Sequence, residues 1–479
     1  MVSFVVNPGH PPARARSQHA VSATHHPAAA SITAADADLR SHRLGHEQLA
    51  RNFADAAPRL SRTQALAEAE RCLYCHDAPC ATACPTGIDI PSFIRRIADD
   101  NLRGAARAIL SANPLGGTCA RVCPTEELCE QVCVRTTQQG KPVEIGRLQR
   151  YATDAVMDRP YASLFPRAAA TGKTVAVVGA GPAGLACAVE LARRGHEVVI
   201  HDAQPKAGGL NEYGLASYKM ADDFAQREID WLLGIGGITV QHGWRLESAA
   251  QLQALQQRYA AVFLGLGLTR TQGLGLPGDT LAGVRDAVDF IAELRQAGDK
   301  ASVAVGRRVV VIGGGMTAVD AAVQSKLLGA ETVHMVYRRG PEQMGASAAE
   351  QQWAQTHGVS LHHWLAPEAL LGEAGHVTGV RFAQQTLVGG QLKPTGEHRV
   401  FEADLVLRAI GQKLDVALAQ TCGLSLKDGR IVADDDGRTG VPGLYAGGDC
   451  RHGGRDLTVE AVEDGKRAAA AIHAELTPA

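Results

Sequence analysis

From residue 60 to about residue 160, apolar positions recur at helical spacing. Phe93, Ile94, Ile97, Leu102, Ala106, Ile109 and Leu110 give apolar faces to two short helices, interrupted at Gly104. Ser61-Arg62-Thr63-Gln64 predicts a helix start, with Ser61 as the cap and Gln64 closing a capping box. Nothing in this stretch alternates as a half-buried strand does. At Lys173 the texture changes. Residues 175–178 form an apolar β-branched run, followed by glycines, a helix over 183–194 and a strand over Glu197–His201. A second β-α-β unit begins at Arg308, and two such openings roughly 130 residues apart predict two related nucleotide-binding domains. Between them the pattern predicts a helix over Phe224–Leu233, a strand near Ile238–Gln241 and a buried strand over 260–266. Short strands over 377–382 and 399–407 precede a glycine-rich segment and a closing helix over 459–475.

Residues 1–50 show no persistent periodicity until about Ala50, are rich in Ala, His, Pro and Ser, and read as a mobile tail. His25-His26 in that tail reads as solvated residues ahead of a metal site, and no Arg-rich amphipathic transit helix is evident. The chain has 479 residues, enough for two to four domains. Its 48 basic and 50 acidic side chains leave a formal charge of −2, which gives no overall attraction to nucleic acid or anionic lipid. No apolar run approaches the ~20 residues of a membrane span, and the opening residues lack a secretory core, so the cytoplasm is the expected compartment. Glycine, at 52 residues, is abundant, which points to tight turns and close backbone–phosphate approaches.

Eight of the 11 cysteines lie between Cys72 and Cys133. Their spacing is Cys72-x2-Cys75-x4-Cys80-x3-Cys84-Pro85, then Cys119-x3-Cys123-Pro124-x5-Cys129-x3-Cys133. In a reducing compartment such a cluster reads as metal ligands before disulfides. The Cys-Pro endings match ferredoxin-type runs, and eight thiolates suffice for two 4Fe–4S clusters. Two zinc sites would favour paired Cys-x2-Cys elements, of which there is one. The other three, Cys187, Cys422 and Cys450, form no such redox pair, which disfavours a flavin–disulfide reductase.

Gly179-Ala180-Gly181-Pro182-Ala183-Gly184 follows a strand and opens a helix, the context in which glycines make a tight turn, admit a pyrophosphate and permit helix–strand packing. Asp202 ends the next strand, where it can bind ribose hydroxyls. Downstream, Gly448-Asp449 lies between a strand end and a helix beginning near Thr458, a further place for a cofactor hydroxyl and phosphate. The second motif is Gly313-Gly314-Gly315-Met316-Thr317-Ala318, with alanine in the third-glycine position, as nicotinamide sites allow. After its second strand, Thr332–Val336, come Tyr337-Arg338-Arg339 rather than an acid. Two guanidinium groups suit a 2′-phosphate, although a solvated basic turn has the same sequence, so NADH and NADPH both stay open.

Together, the cysteine spacing, the two glycine motifs and the closing Gly448-Asp449 segment resemble the flavin-containing small subunit of glutamate synthase. They resemble still more the NAD(P)H-oxidising subunit of dihydropyrimidine dehydrogenase, from about residue 50 to the C-terminus. Asn113-Pro114-Leu115-Gly116, Cys123-Pro124-Thr125, Leu128-Cys129 and Cys75-His76-Asp77-Ala78-Pro79-Cys80 favour the pyrimidine enzyme. The resemblance implies one cluster on Cys72, Cys75, Cys80 and Cys133, and another on Cys84, Cys123, Cys129 and the amide of Gln149. Spacing alone would choose Cys119 over Gln149. It also implies FAD at the first motif, touching Asp202, Gly209, Leu210, Lys219, Leu246, Asp449 and Thr458. NAD(P)H would meet Gly314, Gly315, Thr317, Arg338, Arg339 and Ala409-Ile410-Gly411. Two departures stand out: Gly214-Leu215-Ala216 lacks a proline that relatives often carry near the flavin, and Gly345 stands where relatives place proline or arginine.

The expected architecture is an α/β chain: a helical double 4Fe–4S domain followed by two nested Rossmann-like nucleotide-binding domains. Residues 1–50 form the tail and 51–165 the iron–sulfur domain. The FAD-binding domain is expected in two segments, 166–282 and 410–479, on either side of an NAD(P)-binding domain over 283–409. Nicotinamide releases a hydride, a cluster accepts one electron, and a flavin converts between the two, which explains why all three would share a chain. No nucleophile or paired-carboxylate constellation stands out, so no catalytic side chain is assigned. The chain reads as an electron-input subunit. The resemblance implies an FMN-binding partner that reduces uracil or thymine to the 5,6-dihydro compound. The alternatives are the small subunit of NADPH-dependent glutamate synthase and a ferredoxin–NAD(P) oxidoreductase module.

Overall fold

The computed structural model describes residues 44–478 and the two-residue strand Leu39–Arg40, which pairs antiparallel with Val305–Gly306. The tail reading for residues 1–50, including His25-His26, otherwise lies outside the described residues. Its final stretch is corrected: a helix already runs over His46–Asn52. Leu49 and Phe53, one helical turn apart, enter the core that holds Phe290, Ile291 and Leu294, and that burial orders a segment too short to show periodicity.

The region up to residue 160 is helical, as its pattern predicts. Ser61 Oγ accepts from Gln64 N at 3.3 Å while Gln64 Oε1 accepts from Ser61 N at 3.0 Å, the expected capping box. The interruption at Gly104 is corrected: the helix Leu102–Ala112 runs through it. The break falls earlier, where Asn101 caps the helix by accepting from Gly104 N at 2.9 Å. A Cβ at Gly104 would stand 2.6 Å from that capping amide, so the glycine serves the cap. Phe93, Ile94, Ile97, Ile109, Leu110 and Leu148 make the centre of this region.

Two five-stranded parallel sheets follow. The first has the order Leu444–Ala446, Ala261–Leu264, Thr174–Val178, Glu197–His201, Ile238–Gln241. The second, built wholly between, has the order Ser360–His362, Thr332–Val336, Arg308–Ile312, Leu405–Arg408, Val284–Asp286. The chain leaves the first sheet, completes the second, and returns for one last strand and the helix Thr458–Leu476. Helices Pro182–Arg193 and Met316–Leu327 each follow a central strand, and ten and eight of their twelve residues are buried. Their alanine-rich faces let helix and sheet approach closely.

The strand expected over 260–266 is shorter, Ala261–Leu264, because Gly265 turns beneath the first glycine motif and its N–H bonds Val178 O at 2.8 Å. The strands expected over 377–382 and 399–407 are a long hairpin, His376–Val388 with Gln391–Glu402, and a separate strand, Leu405–Arg408. Gly389 and Gly390, both at positive φ, make the hairpin turn. Among the described residues no helix is long and apolar enough to cross a membrane.

Candidate functional site

Cys72, Cys75, Cys80 and Cys133 line one cavity, together with Leu73, Pro79, Ile90, Pro91, Ile94, Val132, Val143 and Ile145. The chain thus brings Cys133 back across 53 residues to the first cysteine group (133 minus 80). Burial, followed by the nearby Cys72 and Cys133 thiols, pushes Cys80 up to about 11. The Cys80 thiol stays protonated at neutral pH, so its ligation must release a proton. Among the described residues no three Cys, His, Asp or Glu side chains converge closely enough to hold a single metal ion. Four thiols that ring a cavity without meeting at a point fit a polynuclear cluster better than one tetrahedral zinc.

The second group is deeper. Cys123 lies near Cys119, Cys129 and Cys84, and its thiol is raised by a hydrogen bond to Cys119 and by burial. Cys119 and Cys123 pack with Leu128 against Val459 and Leu457, at the start of the closing helix. Gln149 is buried, and its Nε2 donates to Gly116 O at 2.7 Å. That bond fixes the amide, and no hydrogen bond among the described residues reaches its Oε1. Cys119 thus belongs to this group, and Gln149 is tied to the first residue of the helix that carries it.

Around the first glycine motif the backbone is packed to the limit. A Cβ at Gly179, whose φ is +102°, would lie 2.2 Å from Gly265 O, and one at Gly184 would lie 1.9 Å from Gly179 O. Gly181 caps the helix Pro182–Arg193, and Gly209 approaches it so closely that a Cβ there would stand 2.8 Å from Gly181 Cα. Asp202 is buried, with Oδ2 accepting from Ala180 N at 2.6 Å and Oδ1 from Gln204 N at 2.7 Å. A carboxylate has about four acceptor positions, so ribose hydroxyls still have lone pairs to use. From the other end of the chain, Gly448 faces Ala183, and Thr458 Oγ1 bonds Asn211 Oδ1 at 2.9 Å, next to Leu210. Asp449 makes no hydrogen bond among the described residues. Burial, then the Asp456 carboxylate, pushes it up to about 6. A half-buried, unpartnered carboxyl beside a glycine cradle fits a cofactor hydroxyl. Leu246 packs in the core with Val178 and Leu264.

The second motif is built alike. Gly313 has φ +151° and a Cβ there would lie 2.3 Å from Ala409 O, so Ala409-Ile410-Gly411 adjoins the turn. Gly315 caps Met316–Leu327 and has open space where its Cβ would be, with Thr317 exposed beside it. Gly345 lies against Gly314 and Gly315, and Ala346 N bonds Gly314 O at 3.0 Å. Arg338 and Arg339 are exposed and join no ion pair among the described residues. Their guanidinium groups are available to an anion.

Asp320, Glu350 and Gln324, none of them singled out from the sequence, join the two halves, and Lys219, which the resemblance places at the flavin, lies in this joint. Lys219 Nζ lies 2.7 Å from Asp320 Oδ1 and 3.0 Å from Glu350 Oε1. Asp320 is 2% exposed and also accepts from Ala216 N and Tyr218 Oη. Gln324 Oε1 accepts from Ser217 N at 2.9 Å. The second motif's helix is thereby pinned to the loop after Leu210–Tyr213. An acid inside an otherwise apolar helix was the available signal for Asp320. Likewise Glu228, fully buried, accepts from Gly117 N at 2.8 Å and from Thr118, tying Phe224–Leu233 to the helix that carries Cys119.

Residues 49–160 match the family described as dihydropyrimidine dehydrogenase domain II, 4Fe-4S cluster, and residues 173–465 match pyridine nucleotide-disulphide oxidoreductase. The disulphide of that description has no counterpart here, since Cys187, Cys422 and Cys450 are free. The NAD-dependent dihydropyrimidine dehydrogenase subunit PreT of Salmonella typhimurium is 35% identical over 88% of this chain and 97% of its own. The glutamate synthase [NADPH] small chain of Escherichia coli is 32% identical over 88% and 93%. In fold, the chain is similar to Mycobacterium tuberculosis FprA in complex with NADPH (TM-score 0.53, 20% identity, 63% of this chain and 84% of that one). It is likewise similar to T. acidophilum thioredoxin reductase (TM-score 0.50, 23% identity, 63% and 99%). Helical cysteine region, nested nucleotide-binding sheets and similarity over 88% of the chain agree: the chain belongs to the iron–sulfur pyridine-nucleotide oxidoreductase family that includes the PreT subunit and the glutamate synthase small chain.

Proposed function

We propose that the chain takes electrons from NAD(P)H and passes them, through FAD and two 4Fe–4S clusters, to a separate FMN-binding subunit that reduces uracil or thymine. The observation that carries this reading is the packing of Cys119, Cys123 and Leu128 on Val459 and Leu457. It sets one cysteine group against the start of the closing helix, whose Thr458 bonds Asn211 beside Leu210. When bound, the flavin supplies the change from paired to single electrons. Gly179, Gly181 and Gly184 would admit its pyrophosphate, and Asp202 and Asp449 would hold hydroxyls. Gly314, Gly315 and Thr317 would meet the nicotinamide dinucleotide, with Arg338 and Arg339 at its outer end. Lys219, Asp320 and Glu350 hold the two nucleotide sites in one register. Cys72, Cys75, Cys80 and Cys133 would ligate one cluster, and Cys84, Cys123, Cys129 and Gln149 the other. The domain roles follow: 51–165 iron–sulfur, 166–282 with 410–479 flavin, 283–409 nicotinamide.

Anaerobic reconstitution tests this. With the pyrimidine-reducing subunit and uracil, the chain should oxidise NAD(P)H and form dihydrouracil. Oxidation only with a glutamate synthase large chain, glutamine and 2-oxoglutarate would replace the reading. Ferredoxin reduction by the chain alone, with no response to uracil, would favour the stand-alone module.

A further inference from the structure

One wall of the second glycine motif is a surface loop: Arg338, Arg339, Pro341, Glu342, Gln343 and Gly345 are all exposed. At its end two residues turn inward. Ala346 is 2% and Ser347 5% exposed, between an exposed Gly345 and an exposed Ala348. Ala346 N bonds Gly314 O at 3.0 Å and Gly345 lies against Gly315, so this stretch closes on the glycines that would meet the dinucleotide. Exposed loops open locally at low free energy unless buried contacts hold them. What holds 345–347 therefore decides how well the cradle is formed.

Two side chains from other parts of the chain hold it. Ser347 Oγ donates to Glu126 Oε1 at 2.6 Å, across 221 residues of sequence. The same oxygen accepts from Glu350 N at 3.2 Å and caps the helix Ala348–Thr356. In the first turn of that helix, Glu350 Oε1 meets Lys219 Nζ at 3.0 Å. Lys219 thus anchors the loop on one side. Glu126 anchors it on the other, from the turn Thr125–Glu127 that lies between Cys123 and Cys129. A hydroxyl that donates to a carboxylate makes a charge-assisted bond, about twice as strong as a neutral one. Ser347 is the one side-chain hydrogen-bond partner of Glu126 among the described residues, so this acid binds nothing inside the cysteine region. Its neighbour Glu127 is exposed and has no side-chain partner among the described residues.

We infer that Glu126 is a positioning residue for the nicotinamide dinucleotide, reaching from the cysteine region to hold the 345–347 wall of the second glycine motif in place. The inference rests on the proposed dinucleotide site and deepens it, because it makes dinucleotide affinity depend on the loop that carries Cys123 and Cys129. Such coupling is reciprocal. If the bond strengthens dinucleotide binding, bound dinucleotide steadies the cysteine loop by the same factor.

The test uses the full-length chain loaded with its cofactors. KM for NADH and for NADPH is read with ferricyanide as acceptor, beside iron content and reduction by dithionite, in Glu126→Ala, Glu126→Gln and Glu127→Ala. Glu126→Ala should raise KM about tenfold for the nucleotide that the chain uses, with iron content, dithionite reduction and saturating rate within about twofold of wild type. Glu126→Gln, whose amide oxygen accepts from the same hydroxyl, should stay within about threefold, and Glu127→Ala should match wild type. In wild type, NAD+ or NADP+ should slow amide exchange over 344–347 and also over 123–129. Glu126→Ala should keep the first response at saturating nucleotide and lose the second, which a merely structural bond would not produce. Wild-type KM in Glu126→Ala overturns the inference, as does an equal rise in Glu127→Ala or a cysteine-loop response that survives the substitution. If Glu126→Ala loses iron, Ser347→Gly decides, because it breaks the same bond from the far side while glycine still caps the helix; wild-type KM there overturns the inference. Should the wild-type chain bind neither nucleotide, the reading of the second motif falls, and amide exchange at Ala346 decides the joint by itself. Faster exchange in Glu126→Ala than in wild type would support it, and equal protection would overturn it.

Discussion

A single methyl group is enough to close the proposed flavin site at several glycines. Gly465, in the closing helix, is one of them, because a Cβ there would lie 2.1 Å from Ala183 O and press the two crossing helices apart. Gly465→Val should therefore abolish flavin retention, read as absorbance after gel filtration, whereas Gly315→Ala, with open space around it, should leave flavin content at the wild-type level. Asp202→Ala and Asp449→Ala should each weaken flavin retention about tenfold, the effect of one charge-assisted hydrogen bond. Full occupancy in the double variant would contradict the assignment. Glu228 gives a pH signature. Burial raises its carboxyl from 4.5 to about 7 against the opposing bonds from Thr118 and Gly117. Between those values the folded chain holds a proton the unfolded chain has lost, so this group's contribution to stability falls as pH rises from 4.5 to 7. In Glu228→Gln the amide oxygen keeps the Gly117 and Thr118 N–H bonds and its nitrogen donates to the Thr118 hydroxyl. The difference in Tm should therefore move in the variant's favour from pH 5 to pH 8, and a constant difference would contradict the burial argument.

At the scale of elements, caps and buried pairs decide what the apolar pattern leaves open. Ser61→Ala removes half of a capping box and should cost about 1 kcal/mol in chemical denaturation. The Lys219–Asp320 pair is a larger matter. Asp320→Ala leaves a buried ammonium with only Glu350, and removing one partner of a buried pair costs about 3–5 kcal/mol. The same variant should slow flavin reduction by NAD(P)H more than reduction by dithionite, because the pair holds Met316–Leu327 to the loop 216–219. Glu197–His201, Phe224–Leu233 and Thr332–Val336 were legible to the residue, because their burial pattern is bounded sharply by glycine or charge. The hairpin was not. Its outer strand Gln391–Glu402 is exposed along nearly its whole length, so no hydrophobic alternation marks it. Gly104 misled for a related reason: the cap that excuses a glycine is a contact with Asn101, and spacing does not show contacts.

For the whole molecule, the nesting of one parallel sheet inside another is what lets distant segments share a site. Cys133 joins Cys72, Cys75 and Cys80, and Gly448 joins Ala183 across more than half the chain. The motifs were legible because each carries its own local chemistry. The joints between them, Lys219 with Asp320 and Glu228 with Thr118, were not, because each links side chains about 100 residues apart, and an acid in an apolar helix marks Asp320 without naming its partner. The eighth cluster ligand belongs to the same class, and Gln149→Ala should lower iron content and the paramagnetic signal by about half if its amide ligates. Unchanged iron would give the position to Cys119.

The most direct test of the account is the stoichiometry of NAD(P)H oxidation by the cofactor-loaded chain mixed anaerobically with the purified pyrimidine-reducing subunit and uracil. Uracil-dependent oxidation is expected only when both proteins are present, with one dihydrouracil formed per NAD(P)H consumed. Oxidation that ignores uracil in the complete mixture, or that responds instead to glutamine and 2-oxoglutarate with a glutamate synthase large chain, would contradict it.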